Sequence, residues 1–454
     1  MSRNFKTPDY DAILQETIRL EDVLPPSHLA RFVVDIVHQL NLSKLYAKYA
    51  TVSEAAIAPE VLLGLLFYAY ATGVYSLRKI ERATYESIPF RYIAGGLHPD
   101  HDTIAHFRKV FLPEIQELFV QILLLAQAVG VLKLGNISLD GSKVHADASK
   151  SHAVSYKRLV EIEAQLRTEV HELFSLGERV DQGEVQLPEG LKVQDEIGIR
   201  QQRLENLAKA KVVLEERAKE RYAAEQAEYE AKLKEREEKA RKHHRKPRGR
   251  TPKPPEAGPR DSDQYNFTDP DSRIMKNSAN DGFDQHYKVQ AAVDQDSLLI
   301  VAGSLSNHPN DKREAEPTLL ALTPALGEPK AGALDNGYWS DANRQAFEKR
   351  GIEAYIATGR EAHHQSWQSF FAEAPVPPTA DATPLVQMAY KLQTKIGQDI
   401  YRLRKCTVEP VIGIIKEILG FRQFSLRGLT AAAGEWCLVC LAFNLKRLHV
   451  LMAG

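Results

Sequence analysis

At 454 residues the chain is long enough for two or three domains with a sizeable core. Its 59 Lys and Arg nearly cancel 60 Asp and Glu, so net charge does not mark a nucleic-acid binder, although a local basic stripe can hold phosphates in a neutral chain. Three cysteines, Cys406, Cys437 and Cys440, exclude a disulfide framework and fit a reducing cytosol.

The opening MSRNFKTPDYDAILQ lacks an apolar h-region, and no uninterrupted apolar run is long enough to span a bilayer. The expectation is a soluble, cytoplasmic protein with no membrane partner. Residues 1–24 read as an arm. LPPSHLARFVVDIVHQL predicts a helix capped by Ser27, with Leu29, Phe32, Val33, Ile36 and Val37 as its apolar stripe. Further helical patterns, through APEVLLGLLFYAYATG to FLPEIQELFVQILLLAQAVG, make residues 25–130 an all-α domain. Within it, SLRKIERATYESIPFRYIAGG has the layout of a helix-turn-helix and carries Arg78, Lys79, Arg82 and Arg91. Such a segment is either a DNA-binding face or an ordinary basic surface. His101, Asp102 and His106 read as helix-cap and surface residues rather than metal ligands.

In GNISLDGSKVHADAS, the run ISL after Gly135 and Asn136 predicts a strand that ends at Asp140. An acid at the end of a buried strand is costly unless it binds something; a turn-capping aspartate is the structural alternative. His145 and Asp147 fit local structural roles. Residues 131–150 thus begin an α/β core. From 151 to 245 the chain becomes long, charged and helical, with Leu204, Leu207 and Leu214 at heptad spacing and Lys211 interrupting the seam. This predicts an antiparallel helical hairpin. A basic, Pro- and Gly-rich linker covers 246–275; around its start, Lys242, Arg245, Lys246 and Arg248 either grip DNA backbone or stay solvated.

Residues 276–454 return to the core. HYKVQAAVDQDSLLIVAGSLSN predicts two antiparallel strands turning near Gln295–Ser297, and DKREAEPTLLALTPAL a helix. AGALDNGYWS is a strand ending at Asp335, with Asn336–Gly337 as the turn, and IEAYIATG is another strand. Antiparallel strands followed by βα alternation give a mixed sheet with helices on its faces. In YRLRKCTVEPVIGIIK, Glu409 is the only acid among Tyr401, Arg402, Arg404, Lys405 and Lys416. Thr407 is the expected N-cap, which puts Pro410 in the first turn, and Glu409 and Lys416 share a helix face. A carboxylate among fixed cations suits a surface that holds a divalent metal and a phosphodiester together; a solvated charged helix face is the plain alternative. Cys437 and Cys440 sit in the apolar run WCLVCLAF and read as buried helix residues, not a zinc or redox site.

Several of these runs, LDGSKVHADAS, TDPDSRIMK, GFDQHYKVQAAVD, NDKREAEP, ALDNGYWS and VEPVIGIIKEILGFRQFSLRG, resemble bacterial insertion-sequence DDE transposases of the 1182-type group. The resemblance implies an RNase H-like catalytic core whose first and fourth strands are neighbours, with Asp140, Asp335 and Glu409 as the catalytic, metal-binding triad. It maps a tyrosine–basic–glutamate–lysine signature onto Tyr401, Glu409 and Lys416, with Arg404 or Lys405 as the basic member. It further implies two Mg²⁺ ions, replaceable by Mn²⁺, with Asp140 bridging them and Asp335 and Glu409 holding one each. Tyr401, the signature cation and Lys416 contact DNA in this reading. Terminal inverted repeats and target DNA are then the partners, synapsed by a homodimer on the bacterial nucleoid. A metal-dependent nuclease without strand transfer and a non-catalytic DNA-binding protein are the competing functions.

Overall fold

The structure is a computed structural model that describes residues 20–48, 57–242, 251–277, 282–308, 310–359, 375–379 and 381–453. Eight helices come first: α1 (Leu20–Val23), α2 (Leu29–Gln39), α3 (Ser43–Lys48), α4 (Pro59–Ala71), α5 (Leu77–Glu86), α6 (Ile88–Ile93), α7 (His101–Val110) and α8 (Leu112–Ala128). Then come β1 (Asn136–His145), β2 (Ala153–Ser155), the long helices α9 (Tyr156–Asp181) and α10 (Val193–Lys242), β3 (Gln264–Asn266) and β4 (Arg273–Lys276). The remainder is β5 (Phe283–Asp294), β6 (Ile300–Ser306), α11 (Ala315–Leu320), β7 (Ala331–Leu334), α12 (Asp341–Lys349), β8 (Glu353–Ile356), α13 (Pro384–Gln393), α14 (Lys395–Gly413) and α15 (Leu429–Ala453). The chain divides into two compact units, Met1–Val144 with Tyr287–Gly454, and His145–His286.

The first unit is built on a sheet of order β6-β5-β1-β7-β8. β1 pairs parallel with β7 from Asn136↔Ala331 to Leu139↔Leu334, β7 pairs parallel with β8, and β5 and β6 form an antiparallel hairpin. The α/β expectation therefore holds as a mixed sheet with helices. β7 is only four residues long and wholly buried. Its Gly332 is required because a Cβ there would lie 2.3 Å from the Phe347 ring of α12. Asp140 lies one residue beyond the last β1–β7 pair but inside β1, which continues to His145. The expectation of a strand ending at Asp140 is thus corrected: Gly141 to His145 keep extended geometry because β1 has a second neighbour, β5.

α15 is the core helix of this unit, packed on α8, α4 and β6. Its 25 residues have a mean hydropathy of 1.4 in the most apolar window, long and apolar enough by length and composition to cross a membrane. The sequence expectation looked for an uninterrupted apolar run; here Glu435 and Asn444 interrupt it, and both are fully buried with partners. Asn444 accepts from the Ile300 N–H at 2.9 Å and donates to the Ile300 carbonyl at 2.8 Å. Glu435 accepts from Tyr70 Oη at 2.9 Å and from the Ser425 and Leu426 N–H groups, and pairs with Arg108 at 3.6 Å. Cys440 lies against Gly303 of β6, and burial pushes the Cys437 thiol up to about 12, so both cysteines belong to the apolar packing. α2 is capped by His28 rather than Ser27: its Nδ1 accepts from the Ala30 N–H at 3.0 Å. The helix expected over 311–326 shrinks to α11 and a separate 3₁₀ turn at Pro324–Leu326.

The second unit is a helical hairpin with small β elements. α9 and α10 run antiparallel, as Glu163 meets Lys211 and Glu169 meets Arg200. Leu159, Leu166, Leu207, Ala210 and Leu214 form its buried seam, with Leu204 packed at the edge. The cation that breaks the heptad pattern has a purpose here, since Lys211 bonds Glu163 at 3.0 Å. β2 and β3 pair antiparallel, as do β4 and residues 283–286. The Pro-rich stretch after residue 251 is tied to α10: Arg221 donates to the Gly258 carbonyl at 2.9 Å and Arg260 to Glu225 at 2.9 Å.

Replacing Glu435 by Ala leaves Arg108 buried without its counter-charge. The expected cost is roughly 3–5 kcal/mol of stability, read as a lower urea midpoint with an unchanged slope.

Candidate active site

Alternation along β1 sets the site. Residues 138, 140 and 142 share one face of the strand, and each reaches the segment that carries Glu409. Thr407 Oγ1 donates to Ser138 Oγ at 2.7 Å; Arg404 Nη1 donates to Asp140 Oδ2 at 3.1 Å; Lys416 Nζ donates to Ser142 Oγ at 3.1 Å. Gln295 Nε2 reinforces the first contact by donating to Ser138 Oγ at 3.0 Å and to the Ile400 carbonyl at 3.1 Å. Ser138 and Thr407 are both buried, so this short polar ladder is shielded from water.

Thr407 therefore does not cap a helix. α14 begins twelve residues earlier, with Thr394 as the cap accepting from the Gly397 N–H at 3.1 Å, and Thr407 faces β1 instead. Pro410 lies inside this helix, and a π-helical turn, Ile414–Ile418, follows it. A proline removes one N–H from the helical ladder, and single π turns are frequent where a helix carries function. Lys416 lies within that turn, bonded to Ser142 and to the Lys143 carbonyl. Burial lowers the pKa of its ammonium.

The same guanidinium that meets Asp140 also meets Glu409, from Arg404 Nη2 at 3.0 Å. The side chain of Arg404 is only 7% exposed, Asp140 20% and Glu409 48%. Between the two basic residues at this point in the sequence, Arg404 is the one turned inward; Lys405 is on the exposed side of α14. Burial opposes the charge on Arg404, but Tyr401, Asp140, Glu409 and Asp335 outweigh it and its pKa is raised. Its Nε has no hydrogen-bond partner. The guanidinium carbon lies 5.9 Å from the Tyr401 ring centroid, which is cation–π distance.

Asp335 follows β7 directly and caps a single 3₁₀ turn, Asn336–Tyr338, its Oδ1 accepting from the Gly337 N–H at 2.8 Å. Burial first, then the charge of Asp335, push the Asp140 carboxyl up to about 6, against the pull of the Gly141 N–H and Arg404. A further acid, Asp311, adds to that rise. Asp311 also lies beside the Asp335 turn, since a Cβ on Gly337 would be 3.0 Å from Asp335 Oδ1 and 3.4 Å from Asp311 Oδ2. Nothing in the sequence singles out Asp311 beyond the run NDKREAEP just after β6.

These are hard oxygen donors of the kind Mg²⁺ takes. The mutual repulsion at Asp140, only partly relieved by Arg404, marks a place that gains from a cation. Among the described residues, no group of three or more His, Cys, Asp or Glu side chains is gathered so as to hold a metal ion. Arg404 links Asp140 to Glu409. The donor chemistry fits a divalent metal, with the guanidinium standing between two of the acids.

Of the other residues expected to meet DNA, Arg78, Lys79 and Arg82 are exposed along α5, where Arg82 pairs with Glu86 at 2.7 Å. Arg245, Lys246 and Arg248 lie outside the described residues, and of Lys242 only the backbone is described. His101 Nδ1 donates to Glu81 Oε2, 2.7 Å away, and Asp100 caps α7.

Two protein families match the chain. Residues 18–110 match the family described as "Transposase domain (DUF772)", and residues 380–449 match "Transposase DDE domain". Both matches support an insertion-sequence DDE transposase, and neither distinguishes the 1182-type group. No curated protein and no solved structure matches.

In the metal-free protein, folded Asp140 keeps its proton to about pH 6, whereas the unfolded carboxyl releases it near 3.8. The folded state binds more protons in that window, so this group's contribution favours folding below it and is lost as pH rises through it. Asp140→Asn should flatten the decline, as read by urea unfolding at a series of pH values across the window.

Proposed function

We propose that the protein is a DDE transposase that binds the terminal inverted repeats of a mobile element and catalyses Mg²⁺-dependent cleavage and strand transfer. The observation that carries this reading is one guanidinium shared by Asp140 and Glu409. Asp335 lies near enough to shift the first of them, and the second belongs to the segment that matches a transposase DDE domain. The strand order β6-β5-β1-β7-β8, with the β5–β6 hairpin antiparallel and β1, β7 and β8 parallel, supports an RNase H-like core. In that core Asp140 and Asp335 come from adjacent strands.

When bound by Asp140, Asp335 and Glu409, Mg²⁺ (or Mn²⁺) supplies activation of the attacking hydroxyl and stabilisation of the leaving oxygen. The chain's own residues do the remaining work. Ser138, Thr407 and Gln295 hold β1 and α14 in register, so the acids keep their places as DNA arrives. Arg404, displaced from its carboxylates, and Lys416 offer cations to the phosphates flanking the cut, and Tyr401 a ring for a splayed base. Residues 25–130 form a DNA-binding domain in this reading, with Arg78, Lys79 and Arg82 on the backbone, and Lys242, Arg245, Lys246 and Arg248 add a second basic contact. The working unit is a homodimer on two synapsed ends, in the cytoplasm on the nucleoid.

Asp140→Ala, Asp335→Ala and Glu409→Ala should each lower cleavage of an end-containing duplex by about 1,000-fold or more, with duplex affinity nearly unchanged. Gel assays with Mg²⁺ or Mn²⁺ check this, and substantial cleavage by any variant removes that residue from the triad. Products joined to a target duplex identify strand transfer; nicks alone identify a nuclease. Neutralising Arg78, Lys79 and Arg82 together should reduce the salt slope of binding by about 0.9 for each phosphate that is no longer neutralised, and an unchanged slope assigns α5 to ordinary surface.

A further inference from the structure

β5 is buried along almost its whole length, yet it carries Lys288 and Gln290 among its apolar residues. Polar side chains in a central strand are costly unless every group is satisfied, and here they are joined in one network. Gln290 Oε1 accepts from the Tyr338 hydroxyl, and Gln290 Nε2 donates to Asp311 Oδ1 at 2.9 Å. Lys288 Nζ pairs with the other oxygen of Asp311. Asn343 Nδ2 donates to the carbonyls of Asp311 and Tyr338, both at 2.9 Å. Gln290 and Tyr338 are fully buried.

Two of these contacts reach the backbone on either side of the candidate site. Gly141, next in the chain to Asp140, lies flat against the Gln290 carboxamide: a Cβ there would come within 2.6–2.8 Å of all three terminal atoms. Tyr338 closes the 3₁₀ turn that Asp335 caps. One carboxamide thus supports the strand carrying one aspartate and the turn carrying the other. An amide suits this position, because it offers the phenol an acceptor and the Asp311 carboxylate a donor. A glutamate would supply no donor, and a leucine neither group.

We infer that Gln290 is a positioning residue for Asp140 and Asp335, fixing the separation of the two carboxylates through Gly141 and Tyr338, with Asp311 and Lys288 as its anchor. The inference rests on the catalytic reading of those aspartates. It assigns Asp311 to the scaffold, with its charge turned toward Lys288, and not to the metal.

The test is Mn²⁺ binding to the full-length chain without DNA, followed by the loss of the free-ion signal in electron paramagnetic resonance, with melting temperature and duplex affinity read in parallel. Gln290→Leu should weaken Mn²⁺ binding by about 10- to 100-fold, the range expected when a group supporting metal ligands is lost, with duplex affinity unchanged. Tyr338→Phe removes a single hydroxyl and should give a smaller loss in the same direction; it carries the test if Gln290→Leu does not fold. A lower melting temperature with wild-type Mn²⁺ affinity in both variants would make the network purely structural and overturn the inference. Asp140→Asn separates the two levels. If it abolishes Mn²⁺ binding while Gln290→Leu and Tyr338→Phe do not change it, only the positioning role falls. If wild-type protein binds no Mn²⁺, or Asp140→Asn binds it normally, the catalytic reading fails and takes this inference with it.

Discussion

One face of one strand organises the first unit. Ser138, Asp140 and Ser142 alternate along β1, and their partners Thr407, Arg404 and Lys416 all lie on α14 or the π turn after it. The buried hydroxyl pair at one end of this ladder is uncharged, the middle rung is an ion pair, and the far rung is a lysine bonded to a serine and a carbonyl. A helix docked by three such rungs cannot slide by a residue without breaking all of them. Glu409 is placed near Asp140 by that docking, not by anything local to its own sequence.

The electrostatics follow from the same arrangement. Three acids and their neighbour Asp311 are carried on separate elements, and two inward cations, Arg404 and Lys288, are divided among them. Lys288 answers Asp311, leaving Arg404 to answer both Asp140 and Glu409. One guanidinium between two carboxylates only partly offsets the burial and the Asp335 charge that raise the pKa of Asp140.

Much of the sheet was legible in the sequence, because turn residues bound short apolar runs. Asn336–Gly337 closed β7 and Gln295–Ser297 closed the β5–β6 hairpin, and both runs appear as strands. The α9–α10 hairpin was legible from its leucines, and Lys211, which broke the heptad, turned out to bond Glu163. Three features escaped for one shared reason, that tertiary contacts overrode local signals. The strand after Asp140 continues because β5 lies beside it. Thr407 resembled a cap by residue type but lies mid-helix, its hydroxyl bonded to Ser138 and to the Leu403 carbonyl. Gln290 and Lys288 drew no notice in the strand reading, since nothing near them in sequence discloses Tyr338 or Asp311. The same blindness hides from the sequence that Arg404 turns inward while Lys405 lies on the exposed side of α14.

The shared guanidinium has a consequence for additivity. Arg404 donates to carboxylates carried on two separate elements, Asp140 on β1 and Glu409 on α14. Loss of that one side chain would strip both carboxylates of a shared counter-charge at once, so the effects of substitutions at Arg404, Asp140 and Glu409 are coupled and do not add.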